Sequence, residues 1–297
     1  MPDRLLVHVD GRQLELSNLD KVLYPAVGFT KGEVIDYYTR VAPVLLPHIQ
    51  NRPLTRIRYP NGVGGNSFFE KNAPAGVPPW VRVETLPAPG STKDRETLDY
   101  VVADDLPTLV YLANLAALEL HVPQWTVGSV GPDRLVVDLD PGAPAGLAEC
   151  AEVALLLRDR LAADGLTALP KTSGRKGMQL MCGLAGRQPA DVVANYAHLV
   201  ASELAAQHPK TITAKMTKNL RPGKVFIDWS QNNAAKTTVA PYSLRAEPTP
   251  TASAPLAWPE VEAGTVRPLR ADEVLTRIEE YGDLFADLLT ESPEVPS

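Results

Sequence analysis

Arg134-Leu135-Val136-Val137-Asp138-Leu139-Asp140-Pro141-Gly142 is the stretch whose reading decides this chain. Arg134 to Leu139 is short, apolar and rich in Val and Leu, and Pro-Gly closes it, so it reads as a buried β-strand. Side chains alternate along a strand, which puts Asp138 and Asp140 on one face. Two neighbouring carboxylates repel unless a cation lies between them. A divalent-metal site at the end of a strand satisfies that. An Asp-Pro-Gly turn with the second aspartate solvated satisfies it too, and Asp-x-Asp is a common pattern. A third carboxylate from another strand would separate the two readings. The candidate is Asp228, in Lys224-Val225-Phe226-Ile227-Asp228-Trp229-Ser230.

The 297 residues suffice for one large domain or two modest ones. Hydrophobic residues make up 44%, enough for a substantial core, and 28 prolines imply many ordered loops. No stretch reaches the roughly 20 apolar residues of a membrane helix. The start, Met1-Pro2-Asp3-Arg4, does not read as a signal peptide, so a cytoplasmic location is the default expectation. Cys150 fits a helical stripe and Cys182 a strand; both read as reduced core residues. His8, His48, His198 and His208 form no Cys/His cluster, which argues against zinc. Net charge is −6, but it is segregated. Seven Lys or Arg and one acid lie between Pro209 and Arg245, against ten acids and three Arg between Pro259 and Ser297. A local basic face on an acidic protein can still meet nucleic acid.

Alternation over 5–17 predicts a strand pair turned at Asp10-Gly11, followed by a loop or short helix to Pro25. Thr30 is placed to N-cap a helix from Lys31 to about Leu46, with Val34, Tyr37, Tyr38, Val41 and Leu45 inward. Leu54 to Tyr59 reads as a strand, 73–98 as irregular, and Leu106 to Leu120 as an apolar helix ending near His121. Further helices are expected at Ala145–Asp164, at about Ala190–Gln207 and at about Asp272–Leu289, with a strand at Met178–Cys182. Arg245 to Trp258 is proline-rich and reads as a surface wrap. Strands and helices alternate without regular βαβ spacing, so the expected class is mixed α/β, of α+β type.

Three other segments carry chemistry. Thr172-Ser173-Gly174-Arg175-Lys176-Gly177 is a small polar loop whose backbone N–H groups and bases suit a triphosphate, although an exposed turn with two solvated bases is the commoner use of such a stretch. Its glycine spacing is not that of a Walker loop. Ser230 to Asn233 and Lys236 to Arg245 surround Asp228 with polar donors. Phe68 and Phe69 follow a glycine-rich turn beside Arg56, Arg58 and Lys71; they can stack on bases, or one of them can belong to the core. Lys21 and Lys31 lie near a turn and a helix start, where solvated lysines are ordinary, and a lone histidine such as His121 is more often structural than a ligand.

Together the segments resemble the polymerase domain of bacterial ligase D, the end-joining enzyme, within the archaeo-eukaryotic primase-polymerase superfamily. The blocks are Asn18-Leu19-Asp20-Lys21-Val22-Leu23-Tyr24-Pro25, Phe68-Phe69-Glu70-Lys71, Glu119-Leu120-His121-Val122-Pro123-Gln124-Trp125, Asp138-Leu139-Asp140-Pro141-Gly142, Thr172 to Gly177, and Phe226-Ile227-Asp228-Trp229-Ser230-Gln231-Asn232. The resemblance runs from about Leu14 to Leu289. It implies a primase-polymerase fold: a mixed or antiparallel central sheet flanked by helices, with an N-terminal helical and strand extension. It implies one catalytic domain over 1–297, with a DNA-end-binding part over about 1–125, a catalytic core over about 126–250, and a C-terminal wrap and helix over 251–297. Asp138, Asp140 and Asp228 match the metal-binding carboxylates. Ser173 and Lys176 match triphosphate contacts, and His121, Gln179, Arg221, Gln231 and Arg245 fall on positions facing the incoming nucleotide. Asn18, Lys21 and Lys31 match a pocket for a DNA 5′-phosphate, and Phe68 and Phe69 match aromatics that stack on the template.

The implied activity is templated addition of nucleotides, ribonucleotides readily accepted, at gaps or broken DNA ends in repair. Two ions, Mn²⁺ or Mg²⁺, are the implied cofactors, with NTP or dNTP as substrate. Implied partners are gapped or broken DNA with a 5′-phosphate and end-joining proteins, in the bacterial cytoplasm at the nucleoid and with no membrane. Two positions depart from the family pattern. Gln179 stands where Lys-Gly-x-His is common, and a glutamine carries no charge. Ile57 stands where relatives often place a lysine after Thr-Arg, which weakens the expected DNA grip. The chain holds no Lys-x-Asp-Gly ligase nucleophile, so a free-standing polymerase and one domain of a larger protein both fit. Two competing readings are an Asp-x-Asp phosphatase and a non-catalytic DNA-end-binding module of the same fold. Gly142, where a Thr or Val usually follows the second aspartate by two, speaks against the first. The three-aspartate set speaks against the second.

Overall fold

In the strand Arg134–Pro141 every position is buried except Asp138 and Asp140, which are partly exposed. The structure is a computed structural model and describes residues 4–88, 96–290 and 293–296. The chain divides into two compact units. One comprises Met1–Val122, Tyr242–Ala252 and Arg270–Gly282, the other Pro123–Pro241, Ser253–Leu269 and Asp283–Ser297.

The second unit is built on a five-stranded mixed sheet in the order Ala168–Thr172, Met178–Gly183, Arg134–Pro141, Val225–Asp228, Ile212–Thr213. Neighbours among the first four strands are antiparallel, and Ile212–Thr213 joins Val225–Asp228 in parallel. Helices Leu147–Ala163 and Ala190–Gln207 pack against it. Cys150 and Leu157 of the first helix are fully buried, and the Cys150 thiol reaches Leu139 O. Both cysteines are buried free thiols, as their stripes imply. Val136 and Met181 pair across the sheet and meet Phe285 and Leu288 in one apolar cluster. Val136 lies two residues before Asp138, so one face of the strand turns from core to polar within a single alternation.

The first unit centres on a sheet in which Thr55–Arg58 lies between Ala117–Val122 and Phe68–Glu70. Helix Lys31–Ile49 begins where Thr30 predicts. The Thr30 hydroxyl accepts the Glu33 N–H, and the Glu33 carboxylate accepts the Thr30 N–H at 2.7 Å, a complete capping box. The N-terminal hairpin Arg4–Val9/Arg12–Ser17 turns at Asp10-Gly11 as expected.

Several expectations are corrected. Leu106 to Leu120 is not one helix: the helix is Leu106–Asn114, and Ala117–Val122 is a strand. Ala116 has φ +58°, which ends the helix, and the apolar run that follows pairs with Thr55–Arg58. A continuous apolar run has no period to tell helix from strand. Asn18–Pro25 contains a short strand, Val22–Tyr24, paired with Phe29–Thr30. Within 73–98 the strand Val83–Pro87 pairs with Thr97–Val101; residues 89–95 lie outside the described residues. The last helix stops at Tyr281, because Gly282 has φ +68°, and a short 3₁₀ turn, Ala286–Leu289, follows. Tyr281, the helix's last residue, is exposed. The proline-rich segment is no surface wrap over 251–256, where every residue is buried. Thr172 N donates to Ala254 O and Leu256 N to Pro170 O, so the segment covers an edge strand that would otherwise present unpaired backbone groups.

Candidate active site

Strand register assembles the second unit's polar face. Asp138 stands directly opposite Asp228 on one side and opposite Gln179 on the other, and Gln179 stands opposite Lys171. Directly opposed residues share a face, so Lys171, Gln179, Asp138 and Asp228 form one row across four strands, with Asp140 beside it. Burial pushes the Asp138 carboxyl up to about 7, and the Asp140 charge adds to this. The Gln179 amide, donating to Asp138 Oδ1 at 3.0 Å, opposes the shift; Asp228 raises it further and Lys171 lowers it. Such crowding of oxygen donors suits a hard divalent cation and not zinc.

Asp228 is turned partly away from that role. Its Oδ1 accepts from Ser230 N at 3.0 Å and from the Ser230 hydroxyl, and its Oδ2 accepts from Gln231 Nε2 at 3.2 Å. Lys236 Nζ donates to the Ser230 hydroxyl and lies 3.9 Å from Asp228 Oδ2. Among the described residues no three His, Cys, Asp or Glu side chains close into a metal-holding group. The backbone register fits the three-carboxylate set, while the Asp228 side chain is engaged in capping the turn that follows it.

The polar loop lies at the end of the hairpin formed by Ala168–Thr172 and Met178–Gly183. Ser173 N donates to Gly177 O at 2.9 Å, and Ser173 Oγ accepts the Gly177 N–H. A Cβ at Gly177 would stand 2.3 Å from Leu139 O, so only glycine lets the loop close on the aspartate strand. Lys176 is exposed, with Nζ 3.4 Å from Pro141 O at the end of that strand. Arg221 lies over the Phe226 ring at 3.7 Å. Gln179 has both ends of its amide engaged by protein, on Lys171 and Asp138.

The first unit holds the other expected residues. His121 lies on a strand, not at a helix end, and its Nε2 is 3.0 Å from Glu119 Oε2. Arg245 Nε is 3.4 Å from the same oxygen. Burial pushes the Glu119 carboxyl up, but the His121 hydrogen bond, the Arg245 and His121 charges and the Ala246 N–H outweigh it and hold the group at about 2. Three buried tyrosines fix the segment that carries Arg245. Tyr24 OH donates to Arg245 O at 3.0 Å and Tyr37 OH to Tyr242 O at 2.7 Å; Tyr38 OH donates to Leu118 O at 2.6 Å and accepts from Leu244 N at 3.1 Å.

Also in that unit, Asn18 adopts φ +53° and its carbonyl accepts the Lys21 N–H. Lys21 Nζ donates to Asn61 Oδ1 at 3.0 Å, and the buried Lys31 donates to Ser17 O at 2.5 Å. Burial, then the Lys21 charge, lowers the Lys31 ammonium to about 8. Phe68 and Phe69 are 49% and 62% exposed, so neither belongs to the core. Sequence reasoning missed Glu119 and Lys171. Glu119 was hidden by the helix reading, since alternation on a strand puts it on one face with His121.

A model of the LigD primase-polymerase domain matches residues 30–285. The chain belongs to that family. It is 45% identical over 284 residues to the multifunctional non-homologous end joining protein LigD of Mycolicibacterium smegmatis, covering 95% of this chain and 37% of that one. The bifunctional LigD of Bacillus subtilis is 33% identical over 286 residues, covering 96% of this chain and 45% of that one. The chain thus spans less than half the length of these relatives. The solved polymerase domain of Mycobacterium tuberculosis ligase D, in complex with DNA, superposes with a TM-score of 0.89 at 45% identity, over 94% of this chain and 99% of that one. The primase-polymerase fold implied by the resemblance is the fold observed. No helix among the described residues is long and apolar enough to cross a membrane.

Proposed function

We propose that this chain is a DNA-dependent nucleotidyltransferase of end-joining repair, adding nucleotides, ribonucleotides by preference, at gaps or broken ends. One observation carries the reading: the register that sets Asp138 opposite Asp228 with Asp140 on the same face, in a chain of this family. Asp138, Asp140 and Asp228 would hold two divalent ions, Mn²⁺ or Mg²⁺. When bound, the ions supply charge neutralisation at the attacking and leaving oxygens of an in-line displacement. The protein's part is positioning. Gly177 brings the Ser173–Lys176 loop against the aspartate strand, where its backbone N–H groups and Lys176 suit a triphosphate. Glu119 orients His121 and Arg245 as nucleotide contacts, Arg221 and Gln231 add donors, and exposed Phe68 and Phe69 offer a stacking surface for template bases. Asn18, Lys21 and Lys31 form an anion site for a 5′-phosphate. The whole 1–297 stretch acts as one catalytic domain at the bacterial nucleoid, with end-joining proteins as partners.

Extension of a short gapped DNA with Mn²⁺, with and without a downstream 5′-phosphate and with ribo- or deoxyribonucleotides, tests this. Templated, phosphate-stimulated addition is expected. DNA binding without addition under any metal would make the chain an end-binding module, and phosphoester hydrolysis without DNA would make it a phosphatase.

A further inference from the structure

A lysine with 0% of its surface exposed needs an explanation, because a buried ammonium is costly unless fully bonded. Lys171 has acceptors at Val239 O (3.2 Å), Ser253 Oγ (2.5 Å) and Gln179 Oε1. The first two are satisfied by protein groups around the sheet edge, and Ser253 Oγ in turn donates to Thr172 O. The third links the lysine to the aspartates. Lysine has three donors and no acceptor. The amide of Gln179 must therefore turn its oxygen to Lys171 and its NH₂ to Asp138. No other orientation avoids setting donor against donor on one side and oxygen against carboxylate on the other.

Gln179 is the neutral neighbour that faces Asp138. A histidine can present an N–H, and a charge, to the aspartate unaided. A glutamine can present its NH₂ only if something fixes the amide, and it brings no charge. In this chain both missing properties lie one strand further along the row, on Lys171, whose charge also acts on Asp138.

We infer that Lys171 is a positioning residue of the aspartate site: its ammonium orients the Gln179 amide toward Asp138 and is the cation behind that amide. The inference rests on the polymerase reading only in what the site is for; the orientation itself follows from the row.

The test uses the whole chain as wild type, Lys171→Met, Gln179→His and the double variant Lys171→Met/Gln179→His. Mn²⁺ affinity is measured from the free-ion EPR signal, and kcat from nucleotide addition at a gapped DNA. Loss of an outer partner of a metal ligand costs about 10- to 100-fold in affinity or activity, and that loss is expected for Lys171→Met in both readouts. Gln179→His is the single-substitution background against which the double variant is read. The double variant should recover most of the loss, since an imidazole N–H reaches Asp138 without a lysine to orient it. A merely structural lysine would leave the double variant as impaired as the single. That result, or a Lys171→Met protein indistinguishable from wild type, overturns the inference. If Lys171→Met loses cooperative unfolding, Gln179→Leu keeps the other lysine bonds and should show the same loss; an unimpaired Gln179→Leu also overturns it. A wild type that adds no nucleotide but shows the Mn²⁺ pattern removes the polymerase reading and keeps the positioning role. Addition by wild type without the pattern does the reverse.

Discussion

Asp138 in one unit and Glu119 in the other are carboxylates largely removed from water, and they are displaced in opposite directions. Burial raises both. At Asp138 the neighbours are further carboxylates, and the group ends at about 7. At Glu119 the neighbours are His121, Arg245 and a backbone N–H, and it ends at about 2. Burial therefore does not fix the charge state; the sign of the nearest charges does. Glu119 is satisfied by protein and serves as a fixed anchor. On the aspartate face Asp140 and Asp228 add to the effect of burial, and the Gln179 amide and the Lys171 charge offset only part of it.

The largest expected effect breaks the unsatisfied side. Asp138→Ala should reduce nucleotide addition to background while gel-shift binding of gapped DNA persists; an active variant would remove Asp138 from the catalytic set. With EDTA present, Asp138→Asn should be at least as stable to urea as wild type, because it relieves like-charge crowding. A destabilised Asp138→Asn protein would mean that the row is balanced without a metal.

Breaking the satisfied side should cost stability instead. Glu119→Gln keeps the shape and removes the charge that faces Arg245, which is 7% exposed. Removing one partner of a buried pair costs about 3 kcal/mol or more. The groups facing Glu119 are His121, Arg245, the Ala246 N–H and the hydroxyls of Tyr24 and Tyr38. Its folded value lies below its ordinary 4.5, so its contribution is present above that value and is lost as pH falls toward 2. The shift corresponds to about 3 kcal/mol. In urea titrations the gap between wild type and Glu119→Gln should close as pH drops from 4.5 toward 2. A gap independent of pH would show that packing, not charge, holds the site.

The two regions also differ in how far sequence reveals them. The aspartate strand is legible because buried strands are short, apolar and bounded by Pro-Gly, and because three acids at strand ends have few other uses. The Thr30 cap is legible because capping is local. Glu119 is not, since Leu106 to Leu120 is apolar throughout and carries no period; only pairing with Thr55–Arg58 selects strand over helix. The 251–256 segment looks exposed by its prolines, yet it buries because an edge strand needs its backbone groups. Lys171 reads as an ordinary base before a loop. Its meaning depends on register across three strands, which no local pattern encodes.

Lys21 and Lys31 repeat the comparison with the charge reversed. Lys31 is buried and lowered to about 8, first by burial and then by the Lys21 charge, so here too burial and a like charge act in the same direction. Lys21 is exposed and its ammonium donates to Asn61 at the surface, so it can be removed with little cost to the fold. Lys21→Ala should leave unfolding within about 0.5 kcal/mol of wild type. A charge-assisted contact to phosphate contributes about 1.5 kcal/mol, so preference for a 5′-phosphorylated gap over an unphosphorylated one should fall about tenfold. Addition at the unphosphorylated gap should not change. Equal loss on both substrates would make Lys21 a general backbone contact.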